Sequence, residues 1–559
     1  MSHNITTKFT FLNLTISTMT LAMLQVLPVQ AASPVAPDAG QTIRELQQQP
    51  SGIQQATPAA EDKSGAATDQ GERVLVKSFS ITGNQEIASD VLQALLADQL
   101  SSERSLSELK KLAARITSYY RVQGYAVARA YLPAQEIKDG VVVINIIEGR
   151  IDKHQIKNNA RLDDARAEAY FDNIKNNDVI KTEAIDRSLL ILQGTPGVGA
   201  TRAVLQPGAS VGTSELIIEL DEAAPYSANV NLDNYGNRYT GEYRLGGTFY
   251  LNSPLNIGDQ LTVSALSTGD KLNYGRIAYQ LPVGSSGLRV GAAYFEAHYA
   301  LGREFENLDA DGKARSSSIF ASYPFIRSQQ TNLNGVLSLE QKDLSDEVNA
   351  TNSKSDKRIK LANVGLSGSH RDNSGIWGAE LSMIHGSLDI QTDTIRQIDA
   401  TSANTDGRYT RWTYSLSRIQ RITDNNQLAI TLSGQQASKN LDSSEKFSLG
   451  GINGVRAYPQ GEAVGDEGSL AKLELRHSFS PTLQCIAFYD VGEVAVSNNR
   501  YSNSDNHRQI SGAGLGVNAE LAGFQIKSSL AWRTSTTPDS IPVSARNNPT
   551  AWIQVGRVF

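Results

Sequence analysis

Arg456 is the residue of this chain whose type and setting point most directly to a chemical role. It stands in the segment 454–459 (GVRAYP), inside a glycine-rich insertion over about 438–468. A predicted strand at 483–493 follows and carries Asp490. A planar guanidinium can pair with a carboxylate through two hydrogen bonds, and a buried cation requires such an anion. The pattern indicates an ion pair that fixes the insertion, whereas the alternative for Arg456 taken alone is an exposed loop arginine.

Further candidate residues flank this pair. The insertion supplies Gly454, Val455, Tyr458 and Pro459, and the following strand supplies Phe488 and Gly492. The sequence contains no nucleophile elbow, paired-histidine motif or phosphate-binding loop, and the alternation 512–516 (GAGLG) is typical of a small-residue strand face. No enzyme, cofactor or metal site is therefore predicted. A protease or lipase whose triad is dispersed over several strands remains as an alternative.

Composition and charge argue against a nucleic-acid partner, and the N-terminal residues indicate where in the cell the protein is sent. The 559 residues carry a formal net charge of −6, so no basic excess favours nucleic acid. Residues 1–32 combine Lys8, a mostly apolar stretch and the small-residue site Val29-Gln30-Ala31, which is typical of a secretory signal peptide. An N-terminal membrane anchor is the alternative. No later apolar run approaches the roughly 20 residues that a spanning helix needs.

Residues 33–72 are rich in Pro, Ala, Gln and Ser. Within them, 40–49 is predicted to form a short helix with Ile43 and Leu46 on one face, and 51–71 to form a flexible linker. A disordered spacer without a helix is the alternative for the same segment.

Two stretches of alternating strands and helices follow the linker. Residues 73–150 show the order β-α-α-β-β, and residues 151–224 repeat it. Two copies of one order predict two tandem α+β modules. A sheet edge in such a module can receive an extended segment of another chain, and 141–148 and 215–221 are the strands expected to offer it. Rigid spacers are the alternative role for the modules.

The last zone, residues 225–559, replaces helical periodicity with two-residue alternation of apolar and polar side chains. About sixteen such segments occur, many of the roughly 9–11 residues that a tilted strand needs to cross a membrane. Lipid outside and water inside explain apolar side chains on one face and charged ones on the other. An all-β transmembrane barrel of about 16 antiparallel strands is predicted, with a soluble β-sandwich as the alternative.

The lengths of the connections orient this barrel. Connections after even strands are mostly short, and several after odd strands are long and polar. Outer-membrane barrels have short periplasmic turns and longer outer loops. The start of the first barrel strand, the end of the last one and the two modules are therefore expected on the periplasmic side. The terminal Phe559 fits the aromatic residue that often ends the last strand, although Arg557 is a less usual companion.

These features together resemble the outer-membrane transporters of two-partner secretion, the haemolysin secretion/activation branch of the barrel-assembly superfamily. The resemblance covers nearly all of the chain after the signal and includes the segment 450–459 (GGINGVRAYP). The family motif is Val-Arg-Gly-Tyr, and Ala457 occupies the glycine place. The resemblance implies that the modules are POTRA domains and that 40–49 is a plug helix. It also implies that Arg456, at the tip of an inward-folded loop, meets Asp490 of a Phe-x-Asp motif on the barrel wall.

The same resemblance implies a function. The protein is expected to export a large partner exoprotein of haemolysin or adhesin type, encoded nearby, across the outer membrane of a Gram-negative bacterium. The POTRA domains would receive the substrate, and the pore would pass it unfolded. Outer-membrane lipid, the barrel-assembly machinery and periplasmic chaperones are the other implied partners. The alternatives are an insertase that assembles barrels and a gated porin.

Overall fold

The computed structural model describes residues 36–47, 73–269, 271–535 and 547–559. The predicted signal peptide and the predicted linker lie outside these ranges. Along the described chain, a short helix is followed by two small α+β modules and a closed barrel. Of the helices in these ranges, none is long and apolar enough to cross a membrane.

Helix α1 spans Ala39–Gln47, slightly earlier than the predicted helix. The carboxylate of Asp38 accepts a hydrogen bond of 2.8 Å from the backbone N–H of Gln41, which satisfies one free donor of the first turn. Ile43 and Leu46 lie three residues apart on one face, and both are buried. The helix therefore has an apolar face that packs against other parts of the protein.

The first module contains two small sheets and two helices. Its elements are β1 (Arg73–Val76), β2 (Ser78–Thr82), α2 (Ser89–Ala94), β3 (Ser102–Ser105), α3 (Leu106–Val122), β4 (Arg129–Tyr131) and β5 (Val141–Ile147). The main sheet has the order β2-β5-β4, and β1 pairs with β3. A capping box between Ser105 and Glu108 starts α3 where the sequence predicts a helix to start.

The second module repeats the arrangement. Its elements are β6 (Arg150–Asn158), α4 (Asp164–Ala169), α5 (Thr182–Gln193), β7 (Val198–Pro207) and β8 (Thr213–Glu222). The sheet has the order β6-β8-β7, with β8 parallel to β6 and antiparallel to β7. The main sheet and the helices of both modules follow the β-α-α-β-β order that the sequence indicates, and the first module adds the small β1-β3 sheet, which is not predicted.

The two strands expected to offer a free sheet edge do not do so. Strand β5 lies between β2 and β4, and β8 lies between β6 and β7, so each has neighbours on both sides. Their strong apolar character marks the centre of each sheet, where burial is greatest, and not an edge. The prediction was wrong because the sequence shows which segments form strands but not the order of strands in a sheet.

Sixteen antiparallel strands form the closed barrel, as the sequence predicts. They are β9 (Tyr226–Asp233), β10 (Arg244–Asn252), β11 (Gln260–Ser267), β12 (Leu272–Pro282), β13 (Arg289–Ala300), β14 (Ala310–Arg327), β15 (Thr331–Val348), β16 (Ser353–Asp372), β17 (Gly375–Ile390), β18 (Gly407–Arg421), β19 (Asn426–Ala437), β22 (Glu467–Ser480), β23 (Leu483–Ala495), β24 (His507–Leu521), β25 (Phe524–Arg533) and β26 (Thr550–Val558). The two-residue strands β20 (Phe447–Ser448) and β21 (Val464–Gly465) pair with each other in the connection between β19 and β22. Strand β26 pairs with β9 and closes the barrel.

Several wall strands are longer than the sequence suggests. Strands β14 and β15 have 18 residues each and β16 has 20, well beyond the roughly 9–11 residues that cross the hydrocarbon region. The parts of these strands farthest from the short turns carry charged side chains on the outer face. The alternation of apolar and polar residues therefore stops several residues before the end of each strand. In the long connection after β17 the chain also forms a helix, α6 (Asp393–Ala400), where only a loop is predicted.

The second module contacts the short turns of the barrel. The backbone N–H of Asp163 donates to the carbonyl of Asn256 at 2.9 Å, in the turn between β10 and β11. The Nη2 atom of Arg187 donates to the carbonyl of Pro324 at 2.8 Å, near the turn between β14 and β15. The second module therefore lies at the end of the barrel where the connections are short.

Candidate functional site

The connection between β19 and β22 folds into the barrel and is called the inward loop here, residues 438–466. Its tip is tightly turned: the N–H of Val455 donates to the carbonyl of Leu449 at 2.6 Å, and the N–H of Gly451 donates to the carbonyl of Tyr458 at 3.0 Å. A Cβ atom at Gly454 would lie 1.8 Å from the carbonyl oxygen of Leu449, so only glycine fits there. The glycines of the motif thus allow the sharp turn that presents Arg456.

Arg456 lies between two carboxylates of the barrel wall. Its Nε and Nη2 atoms donate to the two carboxylate oxygens of Asp490 on β23, each at 2.8 Å. Its Nη1 atom donates to Glu474 Oε1 on β22 at 2.8 Å, and its guanidinium carbon stands 3.5 Å from the centroid of the Phe488 ring. The side chain is therefore held in a planar, two-pronged geometry that lysine cannot reproduce.

Burial makes this ion pair important for the loop. Asp490 is 0 % exposed, and the side chain of Arg456 is 8 % exposed. Burial opposes the charge on Arg456, but the hydrogen bonds and negative charge of Asp490, with Glu474, outweigh it and raise the pKa of the guanidinium above its ordinary value. Removal of Arg456 would leave the fully buried Asp490 without this counter-ion, and removal of Asp490 would leave Arg456 with Glu474 alone; breaking a buried pair from one side costs about 3–5 kcal/mol.

The backbone of the loop tip contacts the last two strands of the barrel. The indole N–H of Trp552 donates to the carbonyl of Arg456 at 2.7 Å. The hydroxyl of Thr550 and the Nε atom of Arg533 donate to the carbonyl of Ala457, at 2.9 Å and 3.2 Å. The tip therefore contacts β22 and β23 on one side and β25 and β26 on the other, and β26 is the strand that closes the barrel by pairing with β9.

Small residues on β24 make room for these contacts. A Cβ atom at Gly512 would lie 2.4 Å from the Cβ atom of Ala457, and one at Gly514 would lie 2.4 Å from the Phe488 ring. The glycine alternation 512–516 is thus a strand face without side chains, against which the loop tip and Phe488 pack. The methyl group of Ala457 therefore fits only because position 512 is glycine.

The structure brings most of the other candidate residues to the same place. Val455 and Tyr458 are buried in one apolar cluster with Phe488 and Leu449. The guanidinium of Arg533 stacks over the Tyr458 ring with its carbon 4.9 Å from the centroid. Pro459, the next residue, is half-buried.

Gly492 belongs to this site, whereas Phe559 does not. A Cβ atom at Gly492 would lie 2.5 Å from a methyl carbon of Leu449, so the wall is indented where the loop packs. Phe559 lies at the short-turn end of the barrel, where its N–H donates to the carbonyl of Ala228 at 2.8 Å. Its ring is exposed and carries the guanidinium of Arg557 at 5.2 Å, which gives that arginine a partner on the outer face.

Glu474 and Trp552 contact Arg456 but are not among the candidate residues of the sequence. Glu474 stands in a segment of alternating charges, 472–476, and that alternation puts it on the water-facing side of the wall without indicating a partner. Trp552 gave no signal, because its contact with the loop depends on which strand follows which around the barrel. Both contacts are set by the register of the closed sheet.

The base of the inward loop holds a second ionic cluster. Glu445 is fully buried and accepts hydrogen bonds of 2.9 Å from Lys342 on β15 and from Arg411 on β18. Asp442 accepts one of 2.9 Å from Lys357 on β16. These bonds attach the base of the loop to β15, β16 and β18, whereas its tip is attached to β22 and β23.

Helix α1 lies inside the barrel against this base. The hydroxyl of Ser443 donates to Asp38 at 2.6 Å, and Arg44 donates to the carbonyl of Ser443. The N–H of Ala39 donates to Asp346 on β15 at 2.7 Å. The apolar face of α1, with Ile43 and Leu46, packs into a cluster formed by inward side chains of β12 to β19. The helix and the inward loop therefore contact each other as well as the wall.

Burial also changes the ionisation of the helix. The pKa of the Glu45 carboxyl is raised above its ordinary value because burial disfavours the charged form, although the amide groups of Gln41 and Asn237 donate to it at 2.9 Å and 3.0 Å. In the part of the chain that the structure describes, no group of three or more histidine, cysteine or acidic residues is arranged to hold a metal ion. The site is thus built from ion pairs, hydrogen bonds and packing.

A closed sixteen-stranded barrel that follows two α+β modules is the architecture of a β-barrel membrane protein with domains outside the membrane. The sequence model of the haemolysin secretion/activation protein ShlB/FhaC/HecB matches residues 212–519, and that of the ShlB-type POTRA domain matches residues 74–149. The chain belongs to the ShlB/FhaC/HecB family. It is an outer-membrane protein with its POTRA modules in the periplasm.

Individual relatives agree with this assignment. The chain is 31 % identical over 477 residues to the heme/hemopexin transporter protein HuxB of Haemophilus influenzae (strain 86-028NP), which covers 82 % of this chain and 83 % of the relative. It is 24 % identical to the outer membrane transporter CdiB of Dickeya dadantii (strain 3937), over 81 % of this chain and 82 % of the relative. The solved structure of CdiB from Escherichia coli superposes with a TM-score of 0.71 at 19 % identity, covering 93 % and 96 % of the two chains.

Proposed function

We propose that this protein exports a large partner exoprotein of haemolysin or adhesin type from the periplasm to the cell surface, in an unfolded state, through the barrel. One observation carries the proposal. A barrel of sixteen strands encloses an aqueous channel, and here two segments that are not part of the wall, α1 and the inward loop, lie inside it. Side-chain contacts hold both segments, so both can be displaced without breaking the wall.

The names of the relatives support export over the two alternatives. They are named heme/hemopexin transporter, outer membrane transporter CdiB and hemolysin transporter, and none of these names describes an insertase or a small-solute porin. The proposed activity moves a polypeptide and involves no covalent chemistry, cofactor or nucleotide. Folding of the substrate outside the cell would make its return unfavourable and so give the movement a direction.

The roles of the candidate residues follow from this proposal. The pair of Arg456 and Asp490 keeps the inward loop attached to the wall while the pore is closed, and α1 acts as a plug. Phe559, exposed at the end of the last strand, is the signal that the barrel-assembly machinery reads after periplasmic chaperones have delivered the chain. A signal peptide over residues 1–32 directs the chain to the periplasm.

Strand β7 is the best candidate to receive the substrate. It is an edge strand of ten residues, the longest edge strand of the two modules, and its side chains from Arg202 to Pro207 are exposed. Val204 and Leu205 offer apolar contacts there. An extended segment of the exoprotein can pair with this edge through backbone hydrogen bonds, which demand little of its sequence.

Deletion of the gene tests the export itself. We expect the strain to retain the exoprotein encoded nearby in the periplasm or to degrade it, and expression of the intact chain from a plasmid to restore secretion. The measurement is the amount of exoprotein in the medium and on the cell surface. Normal secretion of every large exoprotein by the deletion strain would refute the proposal.

Cross-linking tests the receiving edge. A photo-reactive amino acid at Val204 is expected to form an adduct with the exoprotein during secretion, because the substrate strand lies beside β7. The matched control is the same replacement at Val211, which is 95 % exposed on the neighbouring connection and outside the sheet. An equal adduct yield at both positions, or none at Val204, would show that β7 is not the edge used.

A further inference from the structure

The lumen face of β22 carries charged side chains at every second position beside the tip of the inward loop. They are Lys472, Glu474 and Arg476, and in the antiparallel register Lys472 lies directly opposite Asp490 of β23. Side chains that are directly opposite in such a pair point to the same face and have Cβ atoms about 4.5–5.5 Å apart. Lys472 is therefore the cation of the wall that is paired in register with Asp490.

Lys472 nevertheless makes no ion pair in the part of the chain that the structure describes. Arg456 occupies both carboxylate oxygens of Asp490, through Nε and Nη2 at 2.8 Å and through its backbone N–H at 3.2 Å. The Nζ atom of Lys472 instead donates to the carbonyl of Asn453, in the loop tip, at 3.3 Å. Two cations thus stand beside one carboxylate, and only Arg456 is bonded to it.

The charges of this part of the wall balance only without the loop. The lumen faces of β22 and β23 around the loop tip carry two cations, Lys472 and Arg476, and two carboxylates, Glu474 and Asp490. Arg476 already pairs with Glu474 at 2.6 Å. Attachment of Arg456 adds a third cation, so these wall charges sum to zero without the loop and to one positive charge with it. The excess charge places Arg456 and Lys472 in mutual repulsion next to Asp490.

We propose that Lys472 takes over as the counter-ion of Asp490 when the inward loop leaves the wall. Departure of the loop removes Arg456 and the carbonyl of Asn453 together, which frees both the carboxylate and the ammonium group. A lysine has three donors on a flexible stem, so its Nζ atom can move to the carboxylate that it faces. The released state then has an ion pair of its own, and Asp490 is not left without a counter-ion.

This exchange makes the attachment point of the loop a two-state element. A loop held by Arg456 and Asp490 alone would leave the carboxylate unpaired on release, and that cost would oppose opening of the pore. Lys472 lowers the cost and so brings the attached and released states closer in free energy, where a substrate can select the second. The inference rests on the proposed function and names the residue that lets the loop leave during export.

The test measures release of the loop in the purified full-length protein, without exoprotein. Val455→Cys in a Cys485→Ser background places a single thiol at a fully buried position of the loop tip, which a thiol reagent reaches only after release. Lys472→Gln is expected to slow labelling about tenfold, as for the loss of an ion pair that is neither fully buried nor fully exposed. Asp490→Asn is expected to accelerate it, so the two substitutions act in opposite directions.

Two further variants separate the exchange of counter-ions from a change in packing. Lys472→Arg restores a cation opposite Asp490 and should label at least as fast as the wild type. Lys472→Gln combined with Asp490→Asn should label at a rate close to that of Asp490→Asn alone, because no carboxylate remains to be neutralised. Such non-additivity is the signature of two groups that act on each other.

The matched control is Lys527→Gln. Lys527 lies on β25 and alternates with Arg533 on the lumen face, but within the described ranges it has neither a hydrogen bond nor an ion pair and is not opposite Asp490. It should leave labelling unchanged. Heat-modified gel mobility shows that each barrel is folded, and urea below the concentration that unfolds the barrel brings rare release into the measurable range.

Labelling of Lys472→Gln at the wild-type rate would overturn the proposal, as would an equal slowing in Lys472→Arg or Lys527→Gln. An undiminished effect of Lys472→Gln in the Asp490→Asn background would also contradict it, because the lysine would then act on another group. Secretion of the exoprotein is measured for the same variants. Slow labelling of Lys472→Gln with normal secretion would support the role of Lys472 and contradict instead the proposed part of the loop in export.

Discussion

Replacement of Asp490 by Asn is expected to release the inward loop and to abolish secretion of the partner exoprotein. The substitution keeps the size of the side chain but removes its charge, so Arg456 remains buried with only Glu474 as a counter-ion. The attachment of the loop should weaken by about 3–5 kcal/mol, the cost of breaking a buried ion pair from one side. Protease sensitivity of the loop in intact cells, together with the amount of secreted exoprotein, measures the effect.

Glu474→Gln is the graded control for this prediction. It removes one hydrogen bond of Arg456 but leaves both contacts with Asp490, so the loop should stay attached and secretion should fall less. The double exchange of Arg456→Asp with Asp490→Arg tests direct pairing, because it restores opposite charges at the same two positions and should recover part of the secretion. If Asp490→Asn behaved like the wild type in both assays, the pair would have no role in holding the loop.

The second large effect concerns the plug helix. The double substitution Ile43→Asp and Leu46→Asp is expected to expel α1 from the lumen and to open the channel. Both side chains lie in the apolar cluster between α1 and the wall, with 0 % and 8 % exposure. Each new carboxylate would be buried without a partner at a cost of several kcal/mol, which shifts the equilibrium toward the undocked helix by more than about a hundredfold.

Planar-bilayer recording measures this result as a larger and steadier conductance than that of the wild type. Gln47→Ala is the matched control, because Gln47 is on the same helix but is exposed at its C-terminal end, where it makes only long hydrogen bonds of 3.4 Å with Glu340 and Lys342. It should leave the conductance unchanged. An unchanged current in the double variant would show that α1 does not close the pore.

Local patterns in the sequence were sufficient for the elements of the fold. The number of barrel strands, the repeated order of the modules, the short helix with Ile43 and Leu46, and the turn around Gly454 all depend on residues within about ten positions of one another. Side-chain alternation and glycine placement report such local structure directly. The family resemblance then matched Arg456 to Asp490, which periodicity could not have done.

The strand order of the modules and the further contacts of Arg456 could be known only from the tertiary structure, because both depend on pairing between strands that are distant in the sequence. The order of strands in each module made β7 an edge and β5 and β8 centres. The register of the closed barrel brought Glu474 to the guanidinium of Arg456 and Trp552 to its carbonyl. The sequence gives Arg456 one partner, Asp490, through the family resemblance, whereas its contacts with Glu474 and Trp552 follow only from the closed sheet. The physical reason is that hydrogen-bond register between strands is set by the whole sheet, whereas alternation within a strand is set by its own residues.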